Sequence, residues 1–304
     1  MNPSPSESIL EQTLRSQREA WRRISLRIGD TPIRDFPPGA PKRILLIGVG
    51  SSHHAARLTA WALLRDRTRE RIPIIARSST AVGSDLLPTQ GDWIFAFSHS
   101  GKTPATLAAL QLAERAGAFP ILVSAEGVPT PSFVRHHLTT VPRERIEPHT
   151  VGVTGAICAV TSLLMGAKAL EEWDALTSIG DPSLELLRRR AGNGPSVVIG
   201  EFEGEWIARE AALKLLEVAR LPVLSYSSEE FFHGPSRMMS ESDPLWHISM
   251  PKDPRNSELR PQHQIGVFGA SPLAFVPALV EVQWLALAVA LNRGLDPDLA
   301  PLSP

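Results

Sequence analysis

Arg43-Ile44-Leu45-Leu46-Ile47-Gly48-Val49-Gly50-Ser51-Ser52 sets a short apolar run against a glycine turn, and its reading decides the fold. A continuous apolar run of this length, bounded by glycine, is the pattern of a strand buried on both faces. A helix over His53 to Asp66 is expected after the turn. Ile72 to Ala76, Trp93 to Phe97 and Pro120 to Val123 read as further strands, with a helix from Thr106 to Ala116 between the last two. Strands alternating with helices predict an α/β fold with a doubly wound parallel sheet. Upstream, Met1 to Pro5 reads as frayed. Glu7 to Ile28 reads as a polar helix with Leu10, Leu14, Trp21 and Ile24 on its apolar side, and Pro32, Pro37, Pro38 and Pro41 mark a linker.

Downstream the pattern returns. After a helical stretch ending near Arg190, Ala191-Gly192-Asn193-Gly194-Pro195 forms a second linker. Ser196-Val197-Val198-Ile199-Gly200 then repeats the strand-glycine pattern 152 residues after Gly48. A helix over Glu205 to Ala219 and strands over Leu221 to Ser227 and Leu245 to Met250 follow. A repeat at half the chain length predicts one α/β module used twice. The second copy is expected to be reduced, since it runs into Pro251-Lys252-Asp253-Pro254. One anion site is therefore expected, in the first half. The predicted division is an amino-terminal helix and linker (1–41), two modules (42–190 and 195–298) and a tail (299–304).

Composition narrows the classes. The 304 residues suit two domains, and 43% hydrophobic content supplies sizeable cores. Thirty-one basic against 32 acidic residues leave a net charge of −1, without the basic excess of a nucleic-acid binder. One cysteine, Cys158, precludes an intrachain disulfide, and no secretory signal opens the chain. A cytoplasmic protein is expected. Val151 to Ala167 is uncharged, but its glycines and hydroxyls favour a buried helix over a membrane span.

The sharpest motif is Ser98-His99-Ser100-Gly101-Lys102-Thr103-Pro104, between a strand and a helix. Hydroxyls and unpaired N–H groups at a helix start suit an anion. The same residues also suit a plain capped helix after a turn. Gly101-Lys102-Thr103 ends like a phosphate-binding loop, but the first glycine of that motif falls on Ala96, inside the strand. Glu210, Lys214 and Glu217 lie on one helical face, where a solvated charge pattern is the plain alternative. His233 stands beside Gly234-Pro235, as turn residues often do. His53-His54 and His136-His137 lack the spacing of metal ligands on one helix face, so no metal or other cofactor is expected. Arg65, Arg67, Arg69 and Arg71 read as a solvated surface, and Cys158 as a buried, inert thiol.

Four segments occur in an order that carries a resemblance. These are Gly48-x-Gly50-Ser51-Ser52, Ser98-x-Ser100-Gly101-x-Thr103, Glu210-Ala211-Ala212-Leu213-Lys214-Leu215-Leu216-Glu217 and Glu230-Phe231-Phe232-His233-Gly234-Pro235. Together they resemble the SIS (sugar isomerase) family, in particular the isomerase half of glucosamine-6-phosphate synthase and its stand-alone relatives, over Lys42 to Asp298. The resemblance implies two tandem SIS modules of flavodoxin-like three-layer architecture. It implies a phosphate pocket at Ser51, Ser52, Ser98, His99, Ser100 and Thr103, with Val153 meeting the sugar through its backbone. It implies a catalytic Glu217 with Lys214 beside it, and a ring-opening His233 supplied by the neighbouring subunit of a homodimer. His99 stands where the synthases usually carry Gln, Lys102 where Glu is usual, and Ala105 where Asp is usual. The tail from Gly294 to Pro304 lacks the synthases' lysine, and no glutaminase segment precedes the module.

The resulting expectation is an enzyme acting on a phosphorylated sugar or amino sugar, an isomerase or deaminase moving a proton between C1 and C2. An Amadori-product deglycase is an alternative within the same chemistry. A non-catalytic sugar-phosphate sensor is the alternative outside it, although no DNA-binding helix pair is visible before Lys42. Both acid–base groups being present favours the enzyme.

Overall fold

The helix expected over Glu7 to Ile28 is two helices, α1 (Ile9–Arg15) and α2 (Gln17–Gly29), parted at Ser16. The Ser16 hydroxyl donates to the Thr13 carbonyl at 2.7 Å, a local bond that competes with helix continuation. Leu10, Leu14, Trp21 and Ile24 are all buried, as their spacing predicts. This is a computed structural model, and it describes residues 7–29, 40–66, 72–251, 253, 259, 261, 263–267 and 269–299. Met1 to Pro5, Pro32, Pro37, Pro38, Arg67, Arg69, Arg71, Lys252, Pro254 and the last five residues lie outside that range.

The first sheet contains β1 (Ile44–Gly48), β2 (Ile74–Ser78), β3 (Trp93–Phe97), β4 (Phe119–Ser124) and β5 (His136–Thr139). All its pairings are parallel and the order is β2-β1-β3-β4-β5. Helices α3 (Ser51–Arg65), α4 (Pro104–Arg115) and α5 (Val151–Met165) follow β1, β3 and β5 in the chain. Every residue of β1 is buried, as a parallel strand covered on both faces requires. α5 is the uncharged stretch, buried from Val151 through Ser162. Among the described residues no helix is long and apolar enough to cross a membrane.

Helices α6 (Ala167–Thr177) and α7 (Leu184–Ala191) lead to a second parallel sheet. It contains β6 (Val197–Gly200), β7 (Leu224–Ser227), β8 (Leu245–Ser249) and β9 (His263–Gly266), ordered β7-β6-β8-β9. The intervening helices are α8 (Glu203–Ala219) and the single turn α9 (Ser228–Phe232), and α10 (Val276–Asn292) closes the fold. The second sheet thus follows the strand order of the first, one strand short. The 152-residue offset has a backbone counterpart. A side chain at Gly48 would strike the backbone of Ser52, and one at Gly200 would strike that of Gly204. Two residues on, Gly50 has φ 57° and Phe202 has φ 54°.

Sequence pattern predicts none of β5, β9 and α10. β5 and β9 are four-residue edge strands with histidine in each. α10 is buried over most of its length and therefore lacks the polar face that reveals a helix. It packs on α7 and α8, and one apolar core runs through the interior helices of both halves. A buried polar chain ties α2, α5 and α10 together. Trp21 Nε1 donates to Thr154 Oγ1 (3.0 Å), which donates to Gln17 Oε1 (2.7 Å). Gln17 Nε2 donates to Gln283 Oε1 (3.1 Å), and Gln283 Nε2 to the Thr150 carbonyl (3.2 Å). This fixes the start of α5, which faces the candidate site. Chain ends also meet: the Asp298 carboxylate accepts the N–H groups of Ile9 and Leu10 at 2.6 and 2.9 Å.

Candidate functional site

Three helices of the first half begin at one small cavity. Ser51 and Ser52 open α3, Ser98 and His99 precede α4, and Gly152 and Val153 lie in the first turn of α5. All six line the cavity, whose volume is about 30 Å³, together with Ser124, Thr140 and His149. Neither Gly50 before α3 nor Thr103 before α4 makes a side-chain cap bond. The Thr103 hydroxyl instead bonds to Ser98 Oγ at 3.2 Å, and Ser98 itself is buried. At α3 and α4, first-turn N–H groups without a capping side chain, surrounded by hydroxyls, are donors of the kind that suit an anion. Gly101 has φ 64°, and a side chain there would run into Val128. The loop therefore requires glycine. Of the predicted pocket residues, Ser51, Ser52, Ser98, His99 and Val153 line the cavity; Thr103 joins it through Ser98. Ser100 does not line it, and its hydroxyl accepts the Lys102 N–H at 3.3 Å.

The cavity wall continues into the second half of the chain. Ser51 Oγ donates to Glu210 Oε1 at 3.0 Å, and His54 Nδ1 lies 2.7 Å from Glu210 Oε2. Lys214 Nζ stands 3.6 Å from Glu210 Oε1 and donates to Glu217 Oε2 at 2.6 Å. The Lys214 side chain is 1% exposed and that of Glu210 0%, so the solvated-face alternative fails for both. Burial pulls the Lys214 ammonium down, but Glu210 and Glu217 outweigh it and hold the group above its ordinary value. Burial raises the Glu210 carboxyl, yet Lys214, His54 and Ser51 bring it below the usual carboxylate range. Glu217 differs from both, with a side chain that is 35% exposed. It reaches the end of α8 while the lysine that holds it stays inside.

His233 is exposed at the carboxyl end of α9 and does not line the cavity. Its turn is well anchored. Ser227 and Glu230 form a reciprocal capping box, and buried Ser228 Oγ donates to Asp253 Oδ2, which also meets His247 Nε2 at 2.9 Å. Sequence pattern missed Glu144, His149, Ser124 and Thr140, which lie in loops or at strand ends without periodicity. His54 was visible only as half of an adjacent histidine pair. His137 meets Ser124 and Thr130, each at 2.7 Å. Among the described residues no group of three or more His, Cys, Asp or Glu is placed to hold a metal. Arg65 is corrected from solvated surface to partner of the buried Glu203. Cys158 is buried, and burial pushes its thiol up to about 12, far from a reactive thiolate.

The matching protein family is the SIS domain, over residues 40–167. That span holds β1 to β5, α3 to α5 and every cavity-lining residue. The chain is 26% identical over 310 residues to the glutamine–fructose-6-phosphate aminotransferase of Pyrobaculum aerophilum, covering 85% of this chain and 50% of that protein. It thus spans about half the length of this curated relative. In fold it is similar to the tagatose-6-phosphate ketose/aldose isomerase of Escherichia coli, with TM-score 0.74, 19% identity and coverage of 98% and 97% of the two chains. It is equally similar to the glucosamine-6-phosphate deaminase of Thermotoga maritima, with TM-score 0.73, 18% identity and coverage of 97% and 98%. At such identities the SIS likeness establishes the fold, and that fold carries several chemistries.

Proposed function

We propose that the chain is a phosphosugar enzyme of the isomerase or deaminase type, acting on a phosphorylated sugar or amino sugar in the cytoplasm without a cofactor. The cavity between the starts of α3, α4 and α5 takes the phosphate, through the hydroxyls of Ser51, Ser52, Ser98 and Thr103, the His99 imidazole and the first-turn N–H groups of α3 and α4, with Ser100 joining from the same loop on binding. Val153 meets the sugar through its backbone. The modules at 42–190 and 195–298 divide the work, the first binding phosphate and the second supplying acid–base groups. The repeated strand order and the 152-residue offset support that division.

One observation carries the reading. The path from cavity to Glu217 is continuous: Ser51, Glu210, Lys214, Glu217, each in contact with the next. A carboxylate that shuttles a proton between neighbouring carbons must hold one position through two transfers. Lys214 grips Oε2 and leaves Oε1 for the substrate. In the open-chain sugar, Glu217 takes the proton from one of C1 and C2 and returns it to the other, the electron pair passing through an enediol or enolamine. His233 assists ring opening. Since it stands exposed and outside its own chain's cavity, a homodimer in which each His233 serves the partner's site fits its placement.

A panel of ketose phosphates, amino-sugar phosphates and sugar–amine adducts, followed for both sugar product and released amine, tests this reading. Turnover of one of them, lost in a Ser98→Ala, Ser100→Ala double variant, is expected. Equal binding of sugar phosphates by that variant and the parent places the site elsewhere.

A further inference from the structure

One buried carboxylate has no role in the chemistry above. Glu144 lies in the loop between β5 and α5, and its carboxylate accepts four hydrogen bonds. Thr150 N donates to both oxygens (3.1 and 2.9 Å), Thr150 Oγ1 to Oε2 (3.2 Å) and Gly152 N to Oε1 (2.8 Å). It therefore occupies the start of α5, the third of the three helix starts at the cavity. Its own backbone N–H points the other way and donates to His99 Nε2 at 3.1 Å. A ring nitrogen that accepts a hydrogen bond carries no proton, so the proton of a neutral His99 sits on Nδ1. That Nδ1 is buried, with no hydrogen-bond partner among the described residues. A side chain at Gly152 would come within 2.5 Å of it and within 2.7 Å of Glu144 Oε1, so only glycine lets the ring and the carboxylate pack this closely on the first turn of α5. His149 packs on the same ring at a tilt of 44°, centroid to centroid 4.3 Å.

Building on the sugar-phosphate reading, we propose that Glu144 is a positioning residue. Its backbone fixes the His99 tautomer and its carboxylate holds the first turn of α5 against the ring, so that Nδ1–H is presented to an oxygen of the bound phosphorylated sugar. A buried donor without a partner is costly, and a ligand oxygen relieves that cost on binding. Burial, and then Arg143, brings His99 down to about 4, so the ring acts as a neutral donor at neutral pH. Specificity for oxygen over a cationic nitrogen follows, because a donor repels a second donor.

Two measurements test this. In ¹⁵N-histidine spectra at neutral pH, the His99 ring, assigned by its loss in His99→Gln, should show a protonated Nδ1 and a bare Nε2. Fructose 6-phosphate should shift the Nδ1 signal most. A proton on Nε2 overturns the proposal. In calorimetric titrations with fructose 6-phosphate, Glu144→Ala and His99→Ala should each weaken binding by about tenfold or more, the loss of one bond to a charged or polar ligand group. The double variant should be no weaker than either single one, and Glu144→Gln, which unlike Glu144→Ala keeps an acceptor oxygen for the first turn of α5, should restore most of the affinity. Additive losses overturn the proposal. Should Glu144→Ala not fold, the tautomer measurement and Glu144→Gln decide it. The Ser98→Ala, Ser100→Ala variant separates the two levels: if it too leaves binding intact, the site reading itself has failed.

Discussion

Lys214 is an ammonium with almost no access to water, and its surroundings explain why it is tolerated there. Removing it leaves Glu210 as a buried charge without its cation, which typically costs 3–5 kcal/mol. Lys214→Met is therefore expected to lower stability by about that amount in a denaturant titration, and to abolish turnover as well. On the proposed mechanism, Glu217→Gln acts on chemistry alone. It keeps shape at a partly exposed position, so turnover should fall by about 10²–10⁴ while sugar-phosphate binding is largely retained. The imidazoles add a pH dependence. Burial is the main cause that brings His53 and His99 down to about 4 and His149 to about 3. The unfolded chain binds protons at these groups near the ordinary value of about 6.5, whereas the folded chain refuses them. Their contribution is thus fully present above that value and is lost as pH falls towards 4. Melting temperature should drop between pH 6.5 and 4, and His53→Phe should flatten part of that slope. A profile unchanged by the substitution contradicts the assignment of His53.

At the scale of elements, the parallel strands were legible because parallel sheets bury both faces and leave unbroken apolar runs. β1, β3 and β4 fall within a residue or two of where their runs predict them, and α3, α4 and α8 start slightly earlier than expected. What escaped has physical causes. β5 and β9 are short edge strands whose histidines carry no apolar signal, and α10 is too uniformly apolar to show a helical face. The site divides in the same way. Ser98 to Thr103 and the Glu210-Lys214-Glu217 face have fixed spacing and could be read. Glu144 and His149 act through loop geometry, which spacing does not encode. Elements also depend on the buried chain from Trp21 to Thr150. Gln17→Leu removes the acceptor at 2.7 Å from the Thr154 hydroxyl and the donor from Gln283 Oε1, a loss of about 1–3 kcal/mol for each bond broken in the interior. Chemical denaturation should show that loss, and a neutral result would mean that water or rearrangement replaces the bonds.

Across the whole molecule, the two halves are not independent. Ser51 at the cavity reaches Glu210 on α8, α10 packs on both α7 and α8, and Asp298 near the carboxyl end caps α1. Unfolding is expected to be a single transition with coincident probes from the two halves, such as fluorescence of Trp93 and Trp246 kept singly. If exposed His233 serves a partner's site, mixing Glu217→Gln with His233→Ala chains should restore activity through hybrid dimers. No recovery after verified subunit exchange assigns the histidine to its own chain. The central claim is that Glu217 moves a proton between adjacent carbons of a phosphorylated sugar held at this cavity. Incubation in deuterium oxide with the panel of sugar phosphates, followed by proton NMR, tests it most directly. Solvent deuterium should enter C1 or C2 of the substrate with the parent chain and not with Glu217→Gln; exchange that persists in the variant, or its absence across the whole panel, contradicts the claim.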